Sequence, residues 1–189
     1  MATPAAHRHY TIEEYVQLEE YANLKHEYFA GQVYLMSGGS QEHALYAGNV
    51  IALLHPQLAG RPCRVLTGDA RIRIRGSDHD TYPDVSVVCG QVELASEDRF
   101  AALNPCLLVD VLSPSTETYD RNKKLESYKL IPSLVEVVLV AHDARRLDLV
   151  QRAADGTWST TSAGPGETLP LALGCSLAVD DVYRDPLAP

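Results

Sequence analysis

No run in this 189-residue chain approaches the roughly 18 consecutive apolar residues that a membrane-spanning helix needs. The opening MATPAAHRHY lacks the apolar middle of a secretory signal, and lipidation and export motifs are also missing. These absences predict a cytoplasmic protein with no membrane partner. Cysteine is scarce: Cys63, Cys89, Cys106 and Cys175 are scattered, with no C-x-x-C pair. Zinc is therefore not expected, and the four residues read as buried reduced thiols rather than as disulfides. Histidines with H-x-x-x-H spacing, the G-x-x-x-x-G-K-[ST] phosphate loop, G-x-G-x-x-G and G-x-S-x-G are all absent. Nucleotide-triphosphatase, dinucleotide-binding and α/β-hydrolase chemistries thus lose their motif support.

Positive charge is also in short supply, with 16 Lys and Arg against 25 Asp and Glu and a formal net charge of −9. A dedicated, sequence-independent nucleic-acid binder would present clustered cations instead. A nuclease is not excluded on that ground. R-I-R-I-R, Arg71 to Arg75, is the one local basic pattern, and strand alternation puts its three arginines on one face, read here as a solvated strand face. Several tyrosines, among them Tyr10, Tyr15, Tyr21, Tyr28 and Tyr34, fall on core or rim positions, where packing is the ordinary use and base stacking the rarer one.

With no internal repeat, low-complexity tract or long linker, residues 1–189 read as one domain. Thr11 with Glu14 is a capping-box pattern opening a helix to about Leu24. Alternating runs about Ala30-Gly31 predict a hairpin, and a helix over about Gln41 to Leu58 follows S-G-G-S. Strands are predicted at Cys63–Leu66, Arg71–Arg75, Tyr82–Cys89, about Cys106–Leu112, Leu134–Ala141, Leu147–Arg152, Thr157–Thr161 and near Ser176–Val179. Further helices are predicted at Glu97–Leu103 and Tyr119–Leu130. The sum is an α/β (α+β) domain with a mixed sheet flanked by helices.

Two carboxylates stand out on the strands. Asp84 follows Pro83 at a strand entrance, and Asp110 interrupts the apolar run C-L-L-V-D-V-L. The 26 positions from Asp84 to Asp110 suit a connection that returns one strand beside the other, so that both acids reach one end of the sheet. Two close anions raise each other's pKa unless a cation compensates, and carboxylate oxygens suit Mg²⁺ or Mn²⁺. Taken alone, each aspartate is more ordinarily a strand-end residue bonded to a loop. Ser113-Pro114-Ser115-Thr116 then stops the strand. On the helix beyond it, Asp120, Lys124 and Tyr128 recur at i, i+4, i+8 and share a face, which turns Lys124 towards the sheet and Lys123 to solvent. Alone, Asp120–Lys124 would be a surface ion pair.

Pro83-Asp84, L-V-D-V-L-S-P-S-T, D-R-N-K-K-L-E-S-Y and L-V-E-V-V-L-V resemble, in order and spacing, the Uma-two family of restriction endonucleases within the PD-(D/E)xK nuclease superfamily. H-E-Y-F-A-G-Q-V-Y-L-M-S-G-G-S-Q-E-H resembles that family's opening hairpin, so the likeness covers nearly the whole chain. It implies a restriction-endonuclease-like fold and a metal-dependent endonuclease acting on DNA, with Mg²⁺ or Mn²⁺ as cofactor and a homodimer as assembly. Asp84 matches the metal-binding aspartate of the P-D motif. Asp110 matches the second acid, where the family more often has glutamate. Leu112 stands where the usual lysine would follow, and the matching lysine is Lys124 from the next helix. Together with the Val111 carbonyl, Asp84 and Asp110 would hold the metal. Glu27, His43, Ser113, Asp120 and Tyr128 would support the site. The competing expectation is a catalytically silent nuclease-fold binding or scaffolding protein, favoured by the acidic balance, by Asp110 for glutamate and by the displaced lysine. A hydrolase of a smaller phosphodiester is the third.

Overall fold

The computed structural model describes residues 8–187. Helix α1 (Ile12–Tyr21) opens on the expected capping box: the Thr11 hydroxyl accepts from the Glu14 N–H and the Glu14 carboxylate from the Thr11 N–H. The hairpin β1 (His26–Phe29) and β2 (Gln32–Leu35) turns at Ala30 (φ 46°) and Gly31 (φ 86°). Positive φ at both central positions is the type I′ form of a two-residue hairpin turn, which glycine adopts freely and alanine at a cost of about 1–2 kcal/mol. Helix α2 (Gln41–Gln57) is capped by the Ser40 hydroxyl, which accepts from the His43 N–H.

The chain continues through β3 (Cys63–Thr67), β4 (Arg71–Ile74), β5 (His79–Thr81), β6 (Val85–Cys89), β7 (Ala101–Ala102) and β8 (Leu107–Val111). Helix α3 then runs from Glu117–Tyr119 through a π-helical turn, Asp120–Lys124, into Leu125–Tyr128. Strands β9 (Glu136–Val140), β10 (Leu147–Arg152), β11 (Trp158–Ala163), β12 (Thr168–Pro170) and β13 (Ser176–Ala178) and the short helix α4 (Val179–Val182) complete it. One mixed sheet has the order β2-β1-β5-β4-β7, a second β11-β10-β9-β8-β6-β3, and β12 pairs with β13. The central strands of the larger sheet, β8 and β9, are buried on both faces. Leu107, Val109 and Val111 of β8 pack with α2, β12–β13 and α4, while Leu108 and Leu112 meet Leu125 and Tyr128 of α3 and Ile72 and Ile74 of β4. The near-continuous apolar runs of β8 and β9 follow from this double coverage. No helix among the described residues is long and apolar enough to cross a membrane.

Three expectations are corrected. The predicted helix at Glu97–Leu103 is instead a turn leading into the short strand β7: Asp98 is drawn to the Arg71 guanidinium, and Ala101 pairs in parallel with Arg71. R-I-R-I-R is not a solvated face. Arg71 and Arg73 are buried, Arg71 between Asp98 and Glu19 and Arg73 among Asp78, Asp80 and Glu97, and only Arg75, beyond the strand end, is exposed. These carboxylates come from other segments, distant for Glu19, Glu97 and Asp98 and nearby for Asp78 and Asp80, and strand alternation reveals none of them. The reading of four reduced thiols holds for Cys106 and Cys175, but Cys63 and Cys89 form a disulfide. They face each other in the antiparallel β3–β6 register, a meeting made by pairing and not by any local motif. Closing the intervening loop is worth about 3–4 kcal/mol on the chain-entropy account. Thiol titration in denaturant without reductant should therefore find two free thiols per chain, and four would contradict the pairing.

Candidate active site

Strands β6 and β8 are antiparallel neighbours with Val85 opposite Val109, so one step further along the register sets Asp84 opposite Asp110. The connection between the strands thus does what its length suggested. Asp84, just outside β6, accepts a hydrogen bond from the Val111 N–H at 2.7 Å and lies 3.3 Å from Nε2 of His43 on α2. His43 reaches this point because the residue before its helical turn has no side chain: a Cβ on Gly39 would stand 2.7 Å from the His43 Nδ1. The Asp84 hydrogen bond raises the His43 pKa, against the opposing effect of burial, with the Val111 carbonyl adding to the rise.

Asp110 shares its β8 face with Leu108 and Leu112, so alternation alone aims it at α3. Its Oδ1 accepts from Lys124 Nζ at 3.2 Å and from the Tyr128 hydroxyl at 3.2 Å, whereas Oδ2 is buried with no hydrogen-bond partner. Lys124 also lies 3.5 Å from Glu27 on β1 and 3.7 Å from Asp120. The face read from i, i+4, i+8 spacing is therefore real: Asp120, Lys124 and Tyr128 are buried and Lys123 is exposed. The π-helical turn, a device common at functional sites, carries both Asp120 and Lys124. Burial raises the Asp110 pKa despite the Lys124 ammonium. It works on Lys124 in the opposite sense, but the surrounding carboxylates more than reverse it and hold Lys124 well above its ordinary value. Burial would likewise raise Glu27, yet Lys124 and the Thr81 hydroxyl keep its pKa below the usual range.

All these groups surround one cleft of about 980 Å³, with Glu27, His43, Asp84, Asp110, Val111, Ser113, Asp120 and Lys124 in its walls. Tyr128 lies behind Asp110. Ser113 bonds locally, its hydroxyl to those of Ser115 and Thr116, and so shapes the strand-to-helix turn rather than touching the acids. Sequence reasoning missed a further layer. Thr81 donates to Glu27, and Tyr119, in the cleft wall, lies 3.4 Å through its hydroxyl from Nε2 of fully buried His79. The strand β5 that supplies His79 and Thr81 falls between two predicted strands and was not expected, and no spacing rule linked it to α3.

His79 gives this layer a pH signature. Burial pushes its pKa down to about 4. A histidine with a depressed folded pKa takes up its proton preferentially in the unfolded chain, so stability is complete above about pH 6.5 and declines towards pH 4. Between pH 7 and 4.5 this residue should cost about 2–3 kcal/mol. Urea unfolding of wild type and His79→Asn at both pH values reads that share as the difference between their losses. Equal losses would contradict it.

The site can be tested for its fit to a divalent cation. Four carboxylates (Glu27, Asp84, Asp110, Asp120) cluster with only Lys124 and His43 as potential cations, so the acids outnumber them four to two. The orphaned Asp110 Oδ2 adds a buried lone pair in want of a partner. Among the described residues no three carboxylate, imidazole or thiolate groups converge closely enough to be a ready-made metal cage. A divalent ion would thus take two carboxylates and complete its shell with the Val111 carbonyl and water, the oxygen-rich, water-retaining habit of Mg²⁺. With that qualification the residues fit.

A family model described as "Putative restriction endonuclease", Uma2, matches residues 12–180. The chain belongs to the Uma2 family. Two uncharacterized proteins of Synechocystis sp. are similar to it: one is 39% identical over 173 residues, 91% of this chain and 90% of the relative. The other is 32% identical over 151 residues, 80% and 85% of the two chains. The crystal structure of a "putative nuclease belonging to DUF820" from Anabaena variabilis superposes with a TM-score of 0.75 at 17% identity, covering 92% of this chain and 97% of that one. The architecture is therefore that of a nuclease-fold protein, as the motif order implied. The Uma2 matches extend across the elements that bear Glu27, His43, Asp84, Asp110 and Lys124.

Proposed function

We propose that this Uma2 protein is a metal-dependent endonuclease that hydrolyses DNA phosphodiester bonds, with Asp84 and Asp110 as metal ligands and a lysine, Lys124, supplied from the helix after β8. The observation that carries the reading is the buried, unpartnered Oδ2 of Asp110, a residue that lines the cleft with Asp84 in a site where carboxylates outnumber cations. Bound there, Mg²⁺ or Mn²⁺ would lower the pKa of a water and polarise a phosphate oxygen.

The protein's own residues do the rest. Asp84 is fixed by the Val111 N–H and flanked by His43, so its carboxylate is pre-set rather than ordered on binding. Lys124, kept cationic by Asp110, Glu27 and Asp120, does not accept the water's proton; it neutralises charge developing on the phosphate. Tyr128 and Lys124 together orient Asp110. Water adds to phosphorus and loses one proton to solvent, the P–O bond to the departing oxygen breaks, and that oxygen takes a proton from solvent, leaving a phosphate monoester and a hydroxyl.

The rival reading, a silent nuclease-fold scaffold, draws on one observation: His43 already lies 3.3 Å from Asp84, which favours its protonated form. Cleavage of plasmid and of circular single-stranded DNA in Mg²⁺ and in Mn²⁺, with a chelator control, separates the two. Metal-dependent cleavage supports the nuclease, and intact DNA under every condition supports the scaffold. Cutting both strands of a duplex takes two sites, hence the homodimer expected in that case, which size-exclusion chromatography reads. We place the protein in the cytoplasm on the same footing.

A further inference from the structure

We infer that the substrate strand enters this cleft as single-stranded DNA, with a base stacked on Tyr34. The inference rests on the nuclease reading and adds the substrate's form and the residue that selects it. Tyr34 stands directly opposite Glu27 in the β1–β2 register. Cross-strand partners project from the same face with Cβ atoms about 5 Å apart, so the Tyr34 ring sits on the cleft side, one strand outward from the carboxylate that contacts Lys124. Tyr15 and Tyr28 of the same tyrosine-rich segment are buried in the core, but Tyr34 is 52% exposed, and its neighbours Leu35 and Leu24 also line the cleft rim at 60% and 61% exposure. An open aromatic ring with an apolar surround, next to a phosphodiester-cleaving centre, is a stacking platform in kind.

Two further observations select a single strand over a duplex. The centre is recessed: Asp110 is 2% and Lys124 6% exposed, and the hairpin β1–β2, Ser37–Ser40, the turn Thr67–Asp69 and the start of α3 wall it in. A flexible strand can lower a phosphate to that depth, whereas a stiff duplex holds its phosphates on the outside of a wide cylinder. The cations a duplex needs are also committed elsewhere. Of the cleft's lysines, Lys25 is held by Asp69 and Lys124 by its three carboxylates, and Lys123 alone has no carboxylate partner among the described residues. Arg71 and Arg73, the arginines that alternation had suggested as a basic stripe, are spent on buried ion pairs. With about one phosphate neutralised, log K should fall with log[salt] at a slope of only about −1. Stacking, which tolerates any base, supplies the rest.

The test compares wild type, Tyr34→Ala and Tyr34→Phe on circular single-stranded DNA and on supercoiled plasmid in Mn²⁺, with Mn²⁺ affinity measured on each protein as the control for an intact site. The expected result is a preference for the single strand, a KM raised about tenfold in Tyr34→Ala with a smaller change in kcat, and recovery in Tyr34→Phe. Equal cleavage of duplex and single strand, or a Tyr34→Ala KM equal to wild type, would overturn the inference and leave the nuclease reading standing. Turnover of bis(p-nitrophenyl) phosphate without cleavage of either DNA would overturn it in favour of a small phosphodiester. No cleavage of any of the three would remove the nuclease reading and this inference together.

Discussion

Asp84→Asn is expected to weaken Mn²⁺ binding by at least about 100-fold and to abolish cleavage, because even residues that only support a metal ligand cost 10–100-fold when lost. The substitution keeps the shape of the side chain, and the amide oxygen can still accept the Val111 N–H, so the fold should survive it. What it removes is the charge. One of four carboxylates disappears from the site, the one that accepts the Val111 N–H, and His43 loses the anion that raises its pKa. Calorimetric titration of wild type and variant measures the loss directly. Full metal affinity in Asp84→Asn would place the ion elsewhere or nowhere, and the assignment of Asp84 as ligand would fall.

Lys124→Met should have the largest effect on stability, with cleavage lost in parallel. Lys124 is buried among Asp110, Glu27 and Asp120, so its removal leaves three buried carboxylates without their ammonium. Breaking a buried pair from one side costs about 3–5 kcal/mol, much of it the penalty of the stranded anions. Adding Asp110→Asn to Lys124→Met should recover part of that loss, a coupling that urea unfolding of the two single variants and the double variant measures. Cleavage by Lys124→Met should fall by about 10²–10³-fold, the scale of losing one electrostatic stabiliser of a transition state. Metal binding, by contrast, should persist, since the variant site is more negative. A variant that cleaves normally would deny Lys124 any part in the chemistry. One that keeps full stability would show that the three acids are protonated rather than paired.

Much of this site could be read from residue patterns because it is built from short, regular pieces. The pairing of β6 with β8 follows from the length of their connection and puts Asp84 opposite Asp110. Helical periodicity separated Lys124, facing in, from Lys123, facing out, and the π-helical turn that carries both did not change that. Glu27 and His43 were available only through resemblance: nothing in H-E-Y-F or in Q-E-H-A says that a hairpin and a helix will bring them to the same cleft. What was misread depends on contacts between distant segments. Arg71 looked solvated because strand alternation reports a face but not its covering, and its covering is Asp98 and Glu19, from a loop and a helix far away in sequence. The helix expected at Glu97–Leu103 failed for the same contact, since the Asp98–Arg71 bond and the β4–β7 pairing outweigh local helix propensity. Cys63 and Cys89 are brought together by strand register alone. Tyr34 was recognised as either core or stacking surface, and only its exposure on the hairpin edge decides between them.

Direct titration of wild-type protein with Mn²⁺, followed by electron paramagnetic resonance and calorimetry at neutral pH, tests the central claim most simply. The account predicts one ion per chain, displaced by Mg²⁺, in a site whose occupancy disappears with Asp84→Asn. Wild-type protein that binds no Mn²⁺ at millimolar concentration would contradict it, and the cluster of Asp84, Asp110 and Lys124 would then be a closed ion network in a nuclease-shaped scaffold.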